Sequence, residues 1–303
     1  MKLIRWYGWL GLLIMAASTV MVALGNAWFA RWYTPYMWTG YIMLADAVVF
    51  RLRGRSLITG NSRKFILLLW LSVLCWLAFE VYNFRLKNWY YVNLPASMVE
   101  RNFGYLWAFA TIFPGIFESA DLLEALGAFK RQDSKPRHRW GDFWLSTSIV
   151  VGLAFIVIPP MLPPVPARFT FGFVWLGFFF LLDPVNYRLG VPSLLRNWEE
   201  GRRRKLYLLL AGGAICGLLW ESWNFYTLQF SGAAWIYALP YPLNLLENIF
   251  RIGRMPVLGF LGFPPFALEC WAMWHLLKTF LLPGEFAPER RAIATPAVAT
   301  GTD

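Results

Sequence analysis

Cys75-Trp-Leu-Ala-Phe-Glu80-Val-Tyr-Asn83-Phe84 recurs as Cys216-Gly-Leu-Leu-Trp-Glu221-Ser-Trp-Asn224-Phe225. Each copy closes a long apolar run, Phe65 to Phe84 and Leu206 to Phe225. Each is followed by Trp-x-Tyr and then Leu-Pro: Trp89, Tyr91, Leu94 and Pro95, then Trp235, Tyr237, Leu239 and Pro240. Glu and Asn three apart share one face of a helix. A carboxyl group inside a membrane helix is costly to place, which marks it as a functional-site candidate. Its repetition in the same context argues against accident.

The match extends outward. Ala30-Arg31, Trp38-x-Gly40, Leu44-x-Asp46-x-Val48, Arg51-Leu52 and Ser56-Leu57 align without a gap on Ala167-Arg168, Trp175-x-Gly177, Leu181-x-Asp183-x-Val185, Arg188-Leu189 and Ser193-Leu194. Further on, Phe113-Pro114-x-x-x-Glu118 aligns with Pro264-Pro265-x-x-x-Glu269. Self-similarity on this scale reads as an internal duplication.

The 303 residues are 58% hydrophobic and only 15% charged, against roughly 25% charged in soluble domains. The expected fold class is an all-α polytopic membrane protein with about eight transmembrane helices, as two parallel four-helix repeats. The spans are read as Tyr7–Phe29, Tyr33–Phe50, Phe65–Phe84, Phe103–Leu126, Phe143–Met161, Phe169–Tyr187, Leu206–Leu228 and Pro256–Leu282. The repeats occupy 1–128 and 141–282, joined by a basic cytoplasmic linker, 129–140, and followed by a disordered cytoplasmic tail, 283–303. An even number of spans per half inserts both halves the same way up, and sites in such folds lie between the halves. Bases concentrate at the N-terminus and in the loops around Arg51–Lys64, Lys130–Arg139 and Arg188–Lys205. The positive-inside rule then puts both termini in the cytoplasm, and a bacterial inner membrane is the expected location. The net charge of +11 follows this loop pattern, so nucleic acid is not an expected partner. Membrane lipids are.

Each half carries three acids in or near the bilayer: Asp46, Glu80 and Glu118, then Asp183, Glu221 and Glu269. Asp46 and Asp183 lie near helix ends, five residues before Arg51 and Arg188, and read as ion pairs or capping contacts. Glu80 and Glu221 lie about 24 Å up their helices from Lys64 and Lys205. Glu118 and Glu269 fall nearer the middle of the membrane. The candidate acid and base groups are Glu80, Glu118, Glu221 and Glu269, with Asn83 and Asn224 orienting them. The competing reading of Glu and Asn is an interhelical hydrogen bond that ties helices together. Trp89, Tyr91, Trp220, Trp235, Tyr237 and Trp271 are the candidate substrate-binding rings, set against the ordinary interfacial belt of Trp and Tyr. Leu94-Pro95 and Leu239-Pro240 read as ends of short re-entrant or interfacial segments, because proline stops a helix. No phosphate loop, HExxH or nucleophile elbow occurs. Two histidines, His138 and His275, do not build a metal cage, and neither metal nor cofactor is expected.

Trp220-Glu221, Trp235-x-Tyr237 and Pro265-Phe-Ala-Leu-Glu269 with Trp271 and Trp274 follow one another in an order that resembles the integral-membrane lycopene cyclase domain family. Phe79-Glu80, Trp89-x-Tyr91 and Pro114-Gly-Ile-Phe-Glu118 repeat that order in the first half. The acids follow their prolines by four positions, where the family's follow by two. The resemblance implies cofactor-free, acid-initiated cyclisation or isomerisation of a carotenoid or other long isoprenoid, with aromatic faces holding the cation. The alternative expectation is a non-enzymatic protein: a lipid or small-molecule carrier, or an integral subunit of a larger membrane complex with protein partners.

Overall fold

The computed structural model describes residues 3–136, 139–246 and 251–282. His138 and the tail 283–303 lie outside them. The chain is mostly helical. In order, it runs α1 (Trp6–Ala23), α2 (Ala27–Arg31), α3 (Tyr33–Arg53), α4 (Leu57–Gly60), α5 (Ser62–Leu86), β1 (Trp89–Val92), α6 (Met98–Ala110) and α7 (Ile112–Ala125). It continues with α8 (Asp142–Met161), α9 (Pro164–Ala167), α10 (Phe171–Leu189), α11 (Leu194–Glu199), α12 (Arg204–Gln229), β2 (Ala234–Tyr237), α13 (Leu243–Leu246), β3 (Arg251–Ile252), β4 (Met255–Pro256), α14 (Val257–Phe260) and α15 (Phe263–Leu281).

Five stretches are helices long and apolar enough to cross a membrane: α1, α5, the continuous Met98–Ala125, α8 and α12. Helices α3, α10 and α15 have comparable lengths and carry the buried acids Asp46, Asp183 and Glu269. The last span begins later than its sequence pattern implies. Pro256 belongs to a strand, and the helix starts at Phe263.

In apolar surroundings each backbone polar group needs a partner within the protein, and proline deprives a carbonyl of one. Two such carbonyls are answered across helices. Pro160 has no N–H for the carbonyl of Ile156, which instead accepts from the Tyr82 hydroxyl at 2.9 Å. Pro184 likewise frees the carbonyl of Phe180, which accepts from Ser148 Oγ at 2.9 Å. Between α6 and α7 the Ser72 hydroxyl enters the helical ladder. It accepts from Phe113 N at 3.0 Å and donates to Phe109 O at 2.5 Å. A side chain inserted in this way is a recognised cause of a helix kink. It divides the fourth apolar run at Thr111.

Both aspartates act as caps. Asp46 accepts from Ser56 Oγ at 2.8 Å, Ile58 N at 2.8 Å and Tyr7 Oη at 2.5 Å. Asp183 accepts from Ser193 Oγ at 2.9 Å, Leu194 N at 2.8 Å and Leu195 N at 2.9 Å. Each carboxylate thus satisfies the donors that open the short helix after its own, α4 or α11. Asp121 and Glu124, at the end of α7, meet bases. Lys205 lies 3.5 Å from Asp121, and Arg53 lies 3.2 Å from Glu124.

The two halves interlock. Helix α5 reaches α8 through the Tyr82 contact, and α12 reaches α1 through Tyr226 Oη, which donates to Thr19 O at 3.0 Å. Within each half, glycines bring two helices together: Gly11 meets Gly40 across α1 and α3, and Gly152 meets Gly177 and Leu181 across α8 and α10. Small residues at such crossings let backbones approach in a membrane.

A Cβ at Gly152 would stand 2.4 Å from Leu181 N and 2.8 Å from Gly177 O. Gly152→Val is therefore expected to destabilise by about 1–3 kcal/mol, the usual scale of overpacking. Gly60→Ala, with nothing within 4 Å, is expected to be neutral. Thermal unfolding of the detergent-solubilised protein checks both.

Candidate functional site

The helix end at Leu86 leads directly into β1, and Gln229 leads through a short turn into β2. These segments are strands rather than re-entrant pieces. They pair with each other, antiparallel, with Trp89 opposite Tyr237, Tyr90 opposite Ile236, Tyr91 opposite Trp235 and Val92 opposite Ala234. Their backbone groups are consumed by this pairing, which a lone interfacial segment could not achieve. The Trp-x-Tyr of one half thus lies across the Tyr-x-Trp of the other.

The repeated spacing of Asn after Glu serves the backbone beyond the helix end in both halves, and in the second half Asn224 also hydrogen-bonds Glu221, as expected of an orienting group. Asn83 Oδ1 accepts from Asn88 N at 2.9 Å and Trp89 N at 3.2 Å, and its Nδ2 donates to Trp89 O at 2.9 Å. Asn224 Oδ1 accepts from Trp235 N at 3.0 Å, and its Nδ2 donates to Trp235 O at 3.0 Å. These amides pin the first tryptophan of each strand to its preceding helix. Asn83 makes no hydrogen bond to Glu80 among the described residues.

The glutamates are held in four different ways. Glu80 Oε1 accepts from Trp76 Nε1 at 2.9 Å, Trp89 Nε1 at 3.2 Å and Tyr91 Oη at 2.6 Å. Burial and the Glu80 carboxyl push the Tyr91 phenol well above its ordinary pKa, so it remains a proton-bearing donor at neutral pH. Glu221 is fully buried, and its Oε1 accepts from Arg254 N at 2.5 Å in the turn between β3 and β4. That turn is closed by Gly253 at φ +61°, where a Cβ would stand 2.8 Å from Glu221 Oε1. Trp235 Nε1 donates to Tyr237 Oη at 2.8 Å, not to a carboxyl. Position 76 is Trp and its counterpart 217 is Gly, so the second half lacks one of the three donors. Glu118 is fully buried beside Asp46, and neither of its oxygens has a hydrogen-bond donor among the described residues. Glu269 is fully buried and accepts from Phe178 N at 3.0 Å.

A cavity of about 550 Å³ lies between the halves under the strand pair. The first half lines it with Trp38, Trp76, Trp89, Tyr91, Tyr105 and Phe109, and the second with Phe171, Trp175, Trp220, Trp235, Tyr237 and Phe263. Several rings meet across the divide: Trp76 stacks on Trp220 at 6.1 Å, Trp38 meets Trp220 at 5.1 Å, and Trp89 meets Phe171 at 4.8 Å. Ring pairs in offset or edge-on geometry add to the burial of their area.

Five of the six expected ring residues therefore line one chamber: Trp89, Tyr91, Trp220, Trp235 and Tyr237. Trp271 does not. It is buried in α15, with its ring 4.2 Å from that of His275. None of the four glutamates lines the chamber. Glu80 stands behind its wall, joined to it by three donors that do. Trp38 and Trp175, equivalent positions in the duplication, line it too. Their alignment in sequence is visible, but their direction across the interface is not. Among the described residues no group of three His, Cys, Asp or Glu side chains could hold a metal ion.

Comparison with protein-family models, curated proteins and solved structures finds no match to this chain.

Asn83→Ala would leave two backbone N–H groups and one carbonyl without their side-chain partners. At about 1 kcal/mol for each of the lost hydrogen bonds, a destabilisation of roughly 2–3 kcal/mol is expected. Amide exchange at Trp89 should rise by more than tenfold, while that of Leu208 and Leu209 deep in α12 changes less. Equal acceleration at both places would assign Asn83 a merely global role.

Proposed function

We propose that this chain is an eight-span membrane protein of two parallel four-helix repeats, and that the chamber between them binds a long apolar lipid of the isoprenoid class. The observation that carries the reading is the chamber itself. Its wall is largely apolar and rich in aromatic rings, is built from both halves, and has the volume of a small-molecule site. A curved polyene or polyprenyl chain offers flat unsaturated surface to ring faces along its length.

The repeat is supported by geometry as well as by alignment. The Asp46 and Asp183 caps use equivalent donors, Ser56 with Ile58 and Ser193 with Leu195. The strand ladder is symmetric about the Tyr90–Ile236 pair, as a two-fold axis along the membrane normal requires. With α3, α10 and α15 counted as spans, each half crosses four times. The basic loops then lie together in the cytoplasm with both termini, and a bacterial inner membrane suits this arrangement.

Binding leads over catalysis because, among the described residues, no carboxyl group lines the chamber. One contact favours acid-initiated, cofactor-free cyclisation as the second reading. Tyr91 lines the chamber and donates to Glu80 at 2.6 Å. On that reading a protonated Glu80 supplies a proton through Tyr91 to a terminal double bond. The rings of Trp76, Trp89 and Trp235 stabilise the resulting cation. Loss of a proton from a neighbouring carbon ends the reaction, so the sum is an isomerisation.

Expression in cells that accumulate lycopene, followed by purification and pigment chromatography, tests both. Unaltered polyene is expected to co-purify, and Trp76→Ala with Trp235→Ala should lower the pigment-to-protein ratio several-fold at normal yield. Colourless protein at full yield would overturn polyene binding. A cyclised product, lost in Glu80→Gln and Tyr91→Phe, would establish the second reading instead.

A further inference from the structure

One polar cluster in the chamber wall joins the two halves. Asn88 is 9% exposed and lines the cavity just before β1. Its Nδ2 donates to Arg168 O at 2.9 Å, which fixes the orientation of the amide. Oδ1 is then a buried acceptor with no partner among the described residues. Arg168 comes from the other half and also lines the cavity. Its Nη2 donates to Ala238 O at 2.9 Å, while its Nε is a buried donor with no partner among the described residues. Ala238 N donates to Asn88 O at 2.7 Å and closes the cluster.

The symmetry-related end is different. Ala234 stands where the first half has Asn88, and Arg31, the counterpart of Arg168, lies 3.2 Å from Glu100. Trp32 Nε1, Thr34 Oγ1 and Trp38 Nε1, on other lining residues, also lack partners among the described residues, but the Asn88–Arg168 cluster alone sets an unsatisfied charged donor beside an unsatisfied amide acceptor. A polar group left unpaired in a buried place costs free energy. A ligand that answers both recovers it.

The chemistry of the pair selects among ligands. A hydrocarbon terminus offers nothing to either atom. A fully ionised phosphate or carboxylate offers acceptors alone, which suits Arg168 and leaves Asn88 Oδ1 facing a negative oxygen. A hydroxyl accepts through its lone pairs and donates through its proton. We propose that the chamber takes a long-chain lipid alcohol. Its terminal hydroxyl accepts from Arg168 Nε and donates to Asn88 Oδ1, and its chain lies along the aromatic wall. This rests on the chamber being a lipid site and adds the ligand's polar terminus and its direction.

The test is tryptophan-fluorescence quenching of the purified full-length protein in detergent. Three C20 ligands of matched unsaturation are titrated: geranylgeraniol, geranylgeranyl phosphate and the corresponding hydrocarbon. The alcohol is expected to bind about tenfold more tightly than the hydrocarbon, the scale of one to two hydrogen bonds. Arg168→Lys, which keeps the charge and removes Nε, and Asn88→Ala should each bring the two Kd values within about twofold, with hydrocarbon affinity retained. Equal Kd values in the wild type would mean that water alone satisfies the pair, and would overturn the hydroxyl assignment while leaving the chamber as a lipid site. Tighter binding of the phosphate than of the alcohol would also overturn it. Binding of none of the three would overturn the chamber reading together with it.

Discussion

Two side-chain amides hold this structure together at its centre. Asn83 and Asn224 each take the backbone of a tryptophan that has just left a long helix, and so turn the chain into a strand instead of letting it run on. A strand that leaves a helix in apolar surroundings must find another strand. Its counterpart in the other half has the same need. The β1–β2 pair follows from this, and with it the roof of the chamber, the placement of Tyr91 against Glu80, and the proximity of Asn88 to Arg168.

Much of this architecture was legible in the sequence. Apolar runs interrupted by basic loops point to membrane helices, and among the described residues five helices qualify on length and composition. The acids near Arg51 and Arg188 read as caps or ion pairs, and they are caps, because the Ser and amide donors of the next turn are nearer than any guanidinium. The strand pairing was not legible. Four residues of Trp-Tyr-Tyr-Val or Ala-Trp-Ile-Tyr carry too short an alternation to separate a strand from an interfacial aromatic belt. The role of the asparagines was hidden for a related reason. Glu and Asn three apart do share a helix face, but Asn83 lies in the last turn of its helix, where backbone groups beyond the end compete for its amide. The position of Trp271 depends on the rotation of α15, which a nearly uniform apolar pattern does not specify.

The two halves also show where duplicated elements have gone separate ways. The aspartate caps, the asparagine pins and the strand residues keep the same partners in both copies. The glutamates do not. Glu80 is surrounded by indole and phenol donors, which are side chains and belong to the chamber wall. Glu221 keeps the phenol partner, Tyr237, and in place of the indoles takes the backbone of a glycine turn, in a position that tolerates no Cβ at Gly253. The loss of an indole at Gly217 opens the space that Phe260 and Phe263 fill. Both copies keep a tyrosine of the chamber wall as a partner, Tyr91 for Glu80 and Tyr237 for Glu221.

The separation of β1 from β2 along the chain has a consequence for how the protein is made. When β1 emerges into the bilayer, more than a hundred residues, including α8 to α12, are still to be synthesised. Until then its outer edge has no ladder to join, and unpaired strand edges invite wrong partners. Contacts so distant in sequence also form slowly, because a long loop must close first. Assembly of the roof therefore waits until α12 and β2 have been made, and the first strand stays unpaired throughout that interval.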